Sequence, residues 1–203
     1  MINYKVIPLG ELLLGEYSQK IISEAFKKFS CQREHDLEDF LLRKAVTYEN
    51  MGFGKTYLVI DEDRLRKGEF VVVAYFTIAQ RAIDISQMSG KKKRRFLGNY
   101  PGRDSLNAVP AYLIGQLGRC DEYTAKEFPG EQLLNECYHA ISMAARVVGG
   151  NLIILECREC MYEKFYSSQN FMKLYDELNE EKLYTLYKKV DFSEYWNRCL
   201  CVE

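Results

Sequence analysis

Apolar positions along the chain switch repeatedly between a strand-like and a helix-like spacing. Val6 to Leu9 is a short apolar run that fits a first strand. From Leu12 to Phe29, residues Leu13, Tyr17, Ile21, Ile22, Ala25 and Phe29 recur at the three- and four-residue intervals of a helix, and Phe29-Ser30-Cys31 punctuates it. Leu37, Phe40, Leu41 and Ala45 share one face of a second helix at about Leu37 to Tyr48. Asp36 stands where an N-cap is wanted, and Gly52 and Gly54 follow as a stop. Thr56 to Asp61 (TYLVID) and Phe70 to Ala79 (FVVVAYFTIA) are β-rich, and the charged stretch Asp61 to Gly68 is short enough to join them as a hairpin.

Residues 80 to 109 break this pattern. Ile83 to Ile85 fits a strand end, but Ser89 to Asn107 is rich in Gly, Ser, Asn and basic residues and reads as a long polar loop. Ala111 to Arg119 (AYLIGQLGR) is again a strand. Its glycines, Gly115 and Gly118, suggest a bulge or a closely approaching ligand. A polar stretch from Asp121 to Phe128 leads through Pro129-Gly130 into a helix from about Glu131 to Val147, ended by Gly149-Gly150. Asn151 to Cys157 (NLIILEC) has the continuous apolar character of a central strand covered on both faces. A short helix over Glu159 to Ser168, strands at Phe171 to Leu174 and Leu183 to Lys189, and a tail over Asp191 to Glu203 complete the chain. Strands alternating with helices, with no internal repeat and no Pro/Gly/Ser-rich linker, point to one α/β domain over residues 1–203. It would carry a polar basic insertion at about 86–109 and a tail at about 191–203.

Composition narrows the function. The 203 residues hold 28 Lys+Arg against 29 Asp+Glu, a net charge of −1, which excludes a globally basic nucleic-acid binder. The charge is nonetheless uneven, because Lys91-Lys92-Lys93-Arg94-Arg95 is a continuous basic run in a chain that is otherwise acidic. No apolar run approaches the roughly 18 residues of a membrane span, and Met1 to Gly10 has no apolar export segment. Seven cysteines, an odd number with no export signal, indicate a cytoplasmic chain with reduced thiols. Cys157 and Cys160 form a C-x-x-C, and Cys199 and Cys201 a C-x-C. Together they could offer four thiolates to zinc, but the C-x-C spacing is unusual for such a site and free cysteines pack as small apolar residues, so no metal is expected.

Three stretches carry candidate chemistry. Gly54-Lys55-Thr56 is not a phosphate loop: Glu49 occupies the position of the required first glycine, and a helix precedes where a strand is needed. The run Lys91, Lys92, Lys93, Arg94, Arg95, with Arg81 and Arg103 nearby and Phe96 and Tyr100 as stacking surfaces, reads either as a phosphate-binding patch or as a solvated charge run. The third is the pair of segments 113–134 and 151–171. There a glycine-bearing strand runs into the Pro129-Gly130 helix start, whose free amides and dipole suit an anion. A second strand ends at Glu156-Cys157, ahead of Phe165-Tyr166.

LIGQLGRCDEYTAKEFPGEQLL and VVGGNLIILECRECMYEKFYSSQNF resemble the cofactor strand, pyrophosphate loop and F-Y-x-x-x-G-F motif of the GNAT superfamily of acyl-CoA-dependent N-acetyltransferases. FSCQREHDLEDFLLRKA, AYFTIA and AVPAYLIG resemble the toxin-like branch that acetylates aminoacyl-tRNA, so the resemblance runs over about residues 26 to 190. It implies a mixed, twisted central sheet flanked by helices. Acetyl-CoA would be the acyl donor, lying against Leu117, Gly118 and Arg119 with its pyrophosphate over Phe128, Pro129, Gly130, Glu131 and Gln132. It also implies an amine acceptor, either a charged tRNA steered by Lys91–Arg95 or a small-molecule or peptide amine, and admits a homodimer and an antitoxin partner. The chain departs from the family loop Q/R-x-x-G-x-G/A by placing Glu127 and Gln132 at its first and last positions, and Asn170 stands for the glycine of the F-Y motif.

The implied chemistry is aminolysis of a thioester. Tyr166, at the F-Y position, would protonate the departing thiolate, and backbone N–H groups on Leu117–Arg119 would polarise the carbonyl. Glu156 would act as base or amine-positioning group, or else be an ion-paired strand-end carboxylate. Cys157, with no histidine partner in its motif, reads as core. The altered loop leaves open an alternative, a catalytically weak acyl-CoA-binding or regulatory protein.

Overall fold

The structure is a computed structural model that describes residues 1–15 and 19–196. Strand β1 covers Tyr4–Pro8 and passes at once into α1, Leu9–Leu14. The helix expected from Leu12 to Phe29 is two helices: α1 begins earlier, at Leu9, and α2 covers Gln19–Lys28, ending before Phe29. Tyr17, counted in that pattern, lies outside the described residues. The second expected helix is also segmented. It comprises α3 (His35–Asp39), a π-helical turn over Phe40–Lys44 and α4 (Ala45–Met51). Asp36 is not its N-cap. It lies one residue inside the helix, Glu34 holds the cap position without a side-chain cap bond, and Glu38 reaches back to accept from the Cys31 amide.

Strand β2 (Lys55–Asp61) is joined to β3 (Val72–Asp84) by a connection containing the short helix α5, Glu62–Leu65, capped by Asp61, whose Oδ1 accepts from the Arg64 amide. The polar stretch read as a loop contains α6 (Gly90–Leu97) and a 3-10 turn at Arg103–Ser105. Next come β4 (Ala108–Arg119), α7 (Gly130–Val148) and β5 (Leu152–Cys157). The short helix α8 (Glu159–Met161) runs into a π-helical turn, Tyr162–Tyr166. Strands β6 (Met172–Lys173) and β7 (Tyr184–Lys189) and the helix α9 (Ser193–Trp196) follow. The strands form one sheet in the order β1-β2-β3-β4-β5-β7-β6.

The chain divides into two compact units. The first comprises Met1–Ala79 and Ile114–Met143. Here β1 pairs antiparallel with β2, Tyr4 opposite Asp61, and β2 pairs antiparallel with β3, Lys55 opposite Ile78. Leu9, Leu41, Leu58, Ile60, Tyr75, Phe76, Phe128, Leu133 and Leu134 are fully buried in it. Burial of side chains this size stabilises by roughly 1.5–3 kcal/mol each against exposure, before the entropy of ordering them is counted. Two polar anchors fix the helices on this core. The Tyr75 hydroxyl donates to the Leu37 carbonyl at 2.6 Å. The buried Glu49, at the end of α4, accepts from the Thr56 amide at 3.0 Å and from Lys55 Nζ at 2.7 Å. Gly52 closes α4 with φ 70°, a left-handed cap that a Cβ would strain.

The second unit comprises Gln80–Leu113 and the chain from Ala144 onward. β5 pairs antiparallel with β7, Leu152 opposite Lys189, and β6 with β7, Met172 opposite Tyr187. Ile83, Ile85, Phe96, Leu97, Val109, Leu152, Ile154, Leu174 and Tyr187 make its core. The segment that reads as a loop is therefore part of that core. Its basic positions hide an amphipathic helix, because Phe96 and Leu97 point inward and Ser89 caps the start by accepting from the Lys92 amide.

Candidate active site

The proposed donor-binding residues fall in the first unit and Tyr166 and Glu156 in the second, so each half is described by itself. In the first, β4 ends at Arg119, and the Cys120 amide donates to the Val73 carbonyl at 2.8 Å, extending the ladder one residue beyond the strand. Gly118 is buried, and a Cβ there would lie 2.8 Å from Leu37 Cδ1. The side chain of Leu37, from α3, thus packs closely against this strand glycine. Leu117 is half-buried beside it. Arg119 Nη1 donates to the Phe128 carbonyl at 2.8 Å, tying the strand end to the loop, and burial followed by repulsion from Arg33 lowers its pKa.

The loop enters α7 through Pro129. Its carbonyl accepts from the Gln132 amide at 3.1 Å and the Leu133 amide at 3.2 Å. Gly130 and Glu131, as the first two helical residues, have no intrahelical carbonyl to donate to. Phe128 is buried and packs edge-to-face on Tyr4 at 5.1 Å between centroids. The two residues that depart from the family loop are both engaged. Glu127 Oε2 accepts from the Thr124 amide and hydroxyl, each at 2.8 Å, and the amide bond first, then the hydroxyl, holds its pKa below the usual value. Gln132 Nε2 donates to the Tyr4 hydroxyl at 2.9 Å, which donates in turn to Glu136 Oε1 at 2.7 Å. Sequence reasoning missed Tyr4. Gln132 and Glu136 stand four apart and so share one helix face, but nothing in that spacing points to a bridging hydroxyl from β1.

In the second unit Tyr166 ends the π-helical turn and is buried, edge-to-face with Phe165 at 5.0 Å and with Phe171 at 5.5 Å. Its carbonyl accepts from the amides of Gln169 and Phe171, closing the turn around Asn170. Asn170 takes φ 61°, the left-handed conformation that the family glycine would supply and that Asn tolerates. Glu156 lies on β5 opposite Thr185, half-buried, with Oε1 3.4 Å from Arg81 Nη1. Its ion-paired reading is therefore the one its contacts match. Burial, with Cys160 adding to it, pushes the Cys157 thiol up to about 12, so it stays protonated and unreactive at neutral pH. Cys160 is exposed. Among the described residues no group of His, Cys, Asp and Glu could hold a metal ion, and Cys199 and Cys201 lie outside them.

The basic run divides by helix face. Lys91, Lys92, Arg94 and Arg95 are exposed, whereas Lys93 is buried and donates through Nζ to the carbonyls of Leu106 at 2.6 Å and Asp104 at 3.5 Å. Of the two aromatics nearby, Phe96 is buried and packs edge-to-face on Tyr187, and Tyr100 is exposed. Arg103 is committed to its neighbours, donating to the Gly98 carbonyl and to Asp104. No described helix is long and apolar enough to cross a membrane.

No family model and no curated protein matches the chain. Solved structures do. A bacterial toxin superposes with a TM-score of 0.72 at 12% identity, over 100% of this chain and 98% of that one. AtaT complexed with acetyl-methionyl-tRNAfMet superposes at 0.64 and 15% identity, over 98% of this chain and 99% of that one. A Tyr→Phe mutant of the AtaT toxin, bound to the C-terminus of the antitoxin AtaR and acetyl-CoA, superposes at 0.63 and 14% identity, again over 98% and 99%. At such identities the likeness is one of fold, and it bears out the α/β class expected from the sequence: a GNAT-like sheet flanked by helices.

Proposed function

We propose that the chain is an acetyl-CoA-dependent N-acetyltransferase that transfers acetyl directly to the primary amine of an aminoacyl-tRNA. The observation that carries this reading is the likeness of fold, over nearly the whole of both chains, to toxins solved with acetyl-CoA and with an acetylated methionyl-tRNA. Two local features support it: a 19-residue helix that begins at Gly130 directly after the loop, and a Tyr166–Asn170 turn in which Asn170, at the glycine position of the F-Y motif, takes a left-handed conformation.

The donor's pyrophosphate would rest on the Gly130 and Glu131 end of α7, where amides and dipole favour negative charge. The acceptor nitrogen attacks the thioester carbonyl, a C–N bond forms and the C–S bond breaks. The departing thiolate takes a proton from the Tyr166 hydroxyl, the nitrogen loses one to solvent, and solvent returns a proton to the Tyr166 oxygen. Glu156 is held by Arg81 as an ion-paired strand-end carboxylate, so no step is assigned to it. An antitoxin partner belongs to the same reading.

The test is acetyl transfer from labelled acetyl-CoA to charged tRNA, with free amines and peptides as competing acceptors. Tyr166→Phe should slow turnover about 100-fold and leave acetyl-CoA affinity nearly intact. Turnover on small amines alone would remove the tRNA acceptor. Acetyl-CoA binding without turnover on any amine would leave a binding protein in place of an enzyme.

A further inference from the structure

The family loop ends in a small residue, and this chain has Gln132 there, on the third residue of α7, where a long polar side chain could compete with a bound phosphate for the helix amides. We propose that Tyr4 is a positioning residue for the acetyl-CoA site, which keeps the Gln132 side chain out of the phosphate position. This rests on the acetyl-CoA reading above.

The geometry is a directed relay. Gln132 Nε2 donates to the Tyr4 oxygen at 2.9 Å, and the Tyr4 proton goes to Glu136 Oε1 at 2.7 Å. Because Gln132 and Glu136 lie one helical turn apart, the hydroxyl between them fixes both on the face of α7 turned to β1. The Glu136 carboxylate orients the Tyr4 hydroxyl so that its lone pairs are presented to the Gln132 amide, and a charged acceptor at the end strengthens the chain. The Tyr4 ring also packs on Phe128, in the loop itself, with an interplanar angle of 76°. Burial, and then the bond to Glu136, raise the Tyr4 pKa to about 12, so the relay keeps its proton at working pH. Tyr4 thus holds both ends of the segment from Phe128 to Gln132.

A double-mutant cycle on the full chain tests this, with acetyl-CoA as the titrant in calorimetry and steady-state kinetics on the accepted amine. Tyr4→Phe keeps the ring on Phe128 and removes only the hydroxyl. It should weaken acetyl-CoA binding about fivefold, the scale of one net hydrogen bond, raising KM for acetyl-CoA with kcat little changed. In a Gln132→Ala background, where no long side chain needs holding, Tyr4→Phe should have no further effect on affinity. A merely structural hydroxyl would weaken binding equally in both backgrounds, and that result, or an unchanged affinity in Tyr4→Phe, overturns the proposal while leaving the function standing. A parent protein that does not bind acetyl-CoA overturns the function and the proposal with it. Thermal unfolding of each variant shows whether it is folded, and Gln132→Ala alone supplies the reference if Tyr4→Phe fails to fold.

Discussion

The segments Glu127–Gln132 and Lys91–Arg95 look alike in one respect: each places charged or bulky polar residues where a ligand is expected. They resolve differently. In the first, both departing side chains are engaged within their own unit, Glu127 by Thr124 and Gln132 by Tyr4. In the second, Lys93 alone is drawn inside, onto the Leu106 and Asp104 carbonyls, and the four cations around it stay exposed. A residue's type sets what it can do, but a partner within reach decides whether it does so at the surface.

The largest expected effect separates the two faces of α6. Replacing Lys91, Lys92, Arg94 and Arg95 together by Ser or Gln should lower the apparent affinity for charged tRNA at low salt on the order of 100-fold and flatten its salt dependence, since each lost phosphate contact removes released counterions. Unfolding should barely shift. Gel shift against salt is the measurement, and an unchanged slope would remove α6 from the acceptor surface.

Lys93→Met should do the reverse. It keeps the apolar stem and removes an ammonium that donates to two carbonyls, one of them at 2.6 Å. Hydrogen bonds to charged groups contribute about 1.5–3 kcal/mol, so a loss of about 2 kcal/mol and a fall in Tm of roughly 5 °C are expected. At temperatures where the variant is folded, tRNA affinity should follow the parent. A large loss of tRNA affinity with unchanged Tm would mean that Lys93 faces the ligand.

The same contrast explains what was legible in the sequence. Apolar periodicity located every major strand and α7, because those elements bury regular stripes: TYLVID, NLIILEC and LYTLYKK lie within a residue or two of β2, β5 and β7. It missed α6, whose buried face is supplied by Phe96, Leu97 and the stem of a lysine, a residue that pattern reading assigns to solvent. It placed one long helix where α1 and α2 stand, and the strand glycine Gly118, read as a bulge or a ligand approach, has the side chain of Leu37 packed against it, a contact no local pattern signals. In the candidate site, Tyr166, Asn170 and the Pro129-Gly130 start are local in sequence and could be read from a motif. Tyr4 could not, being 128 residues from its partner Gln132, and neither could the pairing of Glu156 with Arg81, 75 residues away. Such contacts exist only once the sheet has formed.

The smallest expected effect concerns pH, and it probes the two ties of the loop from opposite sides. Glu127 has its folded pKa held below the ordinary 4.5 by the Thr124 amide and hydroxyl. Its contribution to stability is therefore present above that value and lost as pH falls through the lower folded one. Tyr4 is raised from 10.0 to about 12. Its contribution is fully present below pH 10 and is lost as pH rises from there through about 12. Between roughly pH 5 and pH 10 both ties hold, so neither should make stability pH-dependent there. Glu127→Gln removes the titrating group and should flatten part of the acid limb of a stability-against-pH profile with no change in the alkaline limb. Tyr4→Phe should do the opposite. The exposed position of Glu127 and the nearby solvent keep its effect small, so the profile must be read as a difference between variant and parent at matched ionic strength. If Glu127→Gln altered the alkaline limb instead, or if Tyr4→Phe left it unchanged, the two side chains would not be held as the hydrogen bonds describe, and the loop would resemble the exposed face of α6 after all.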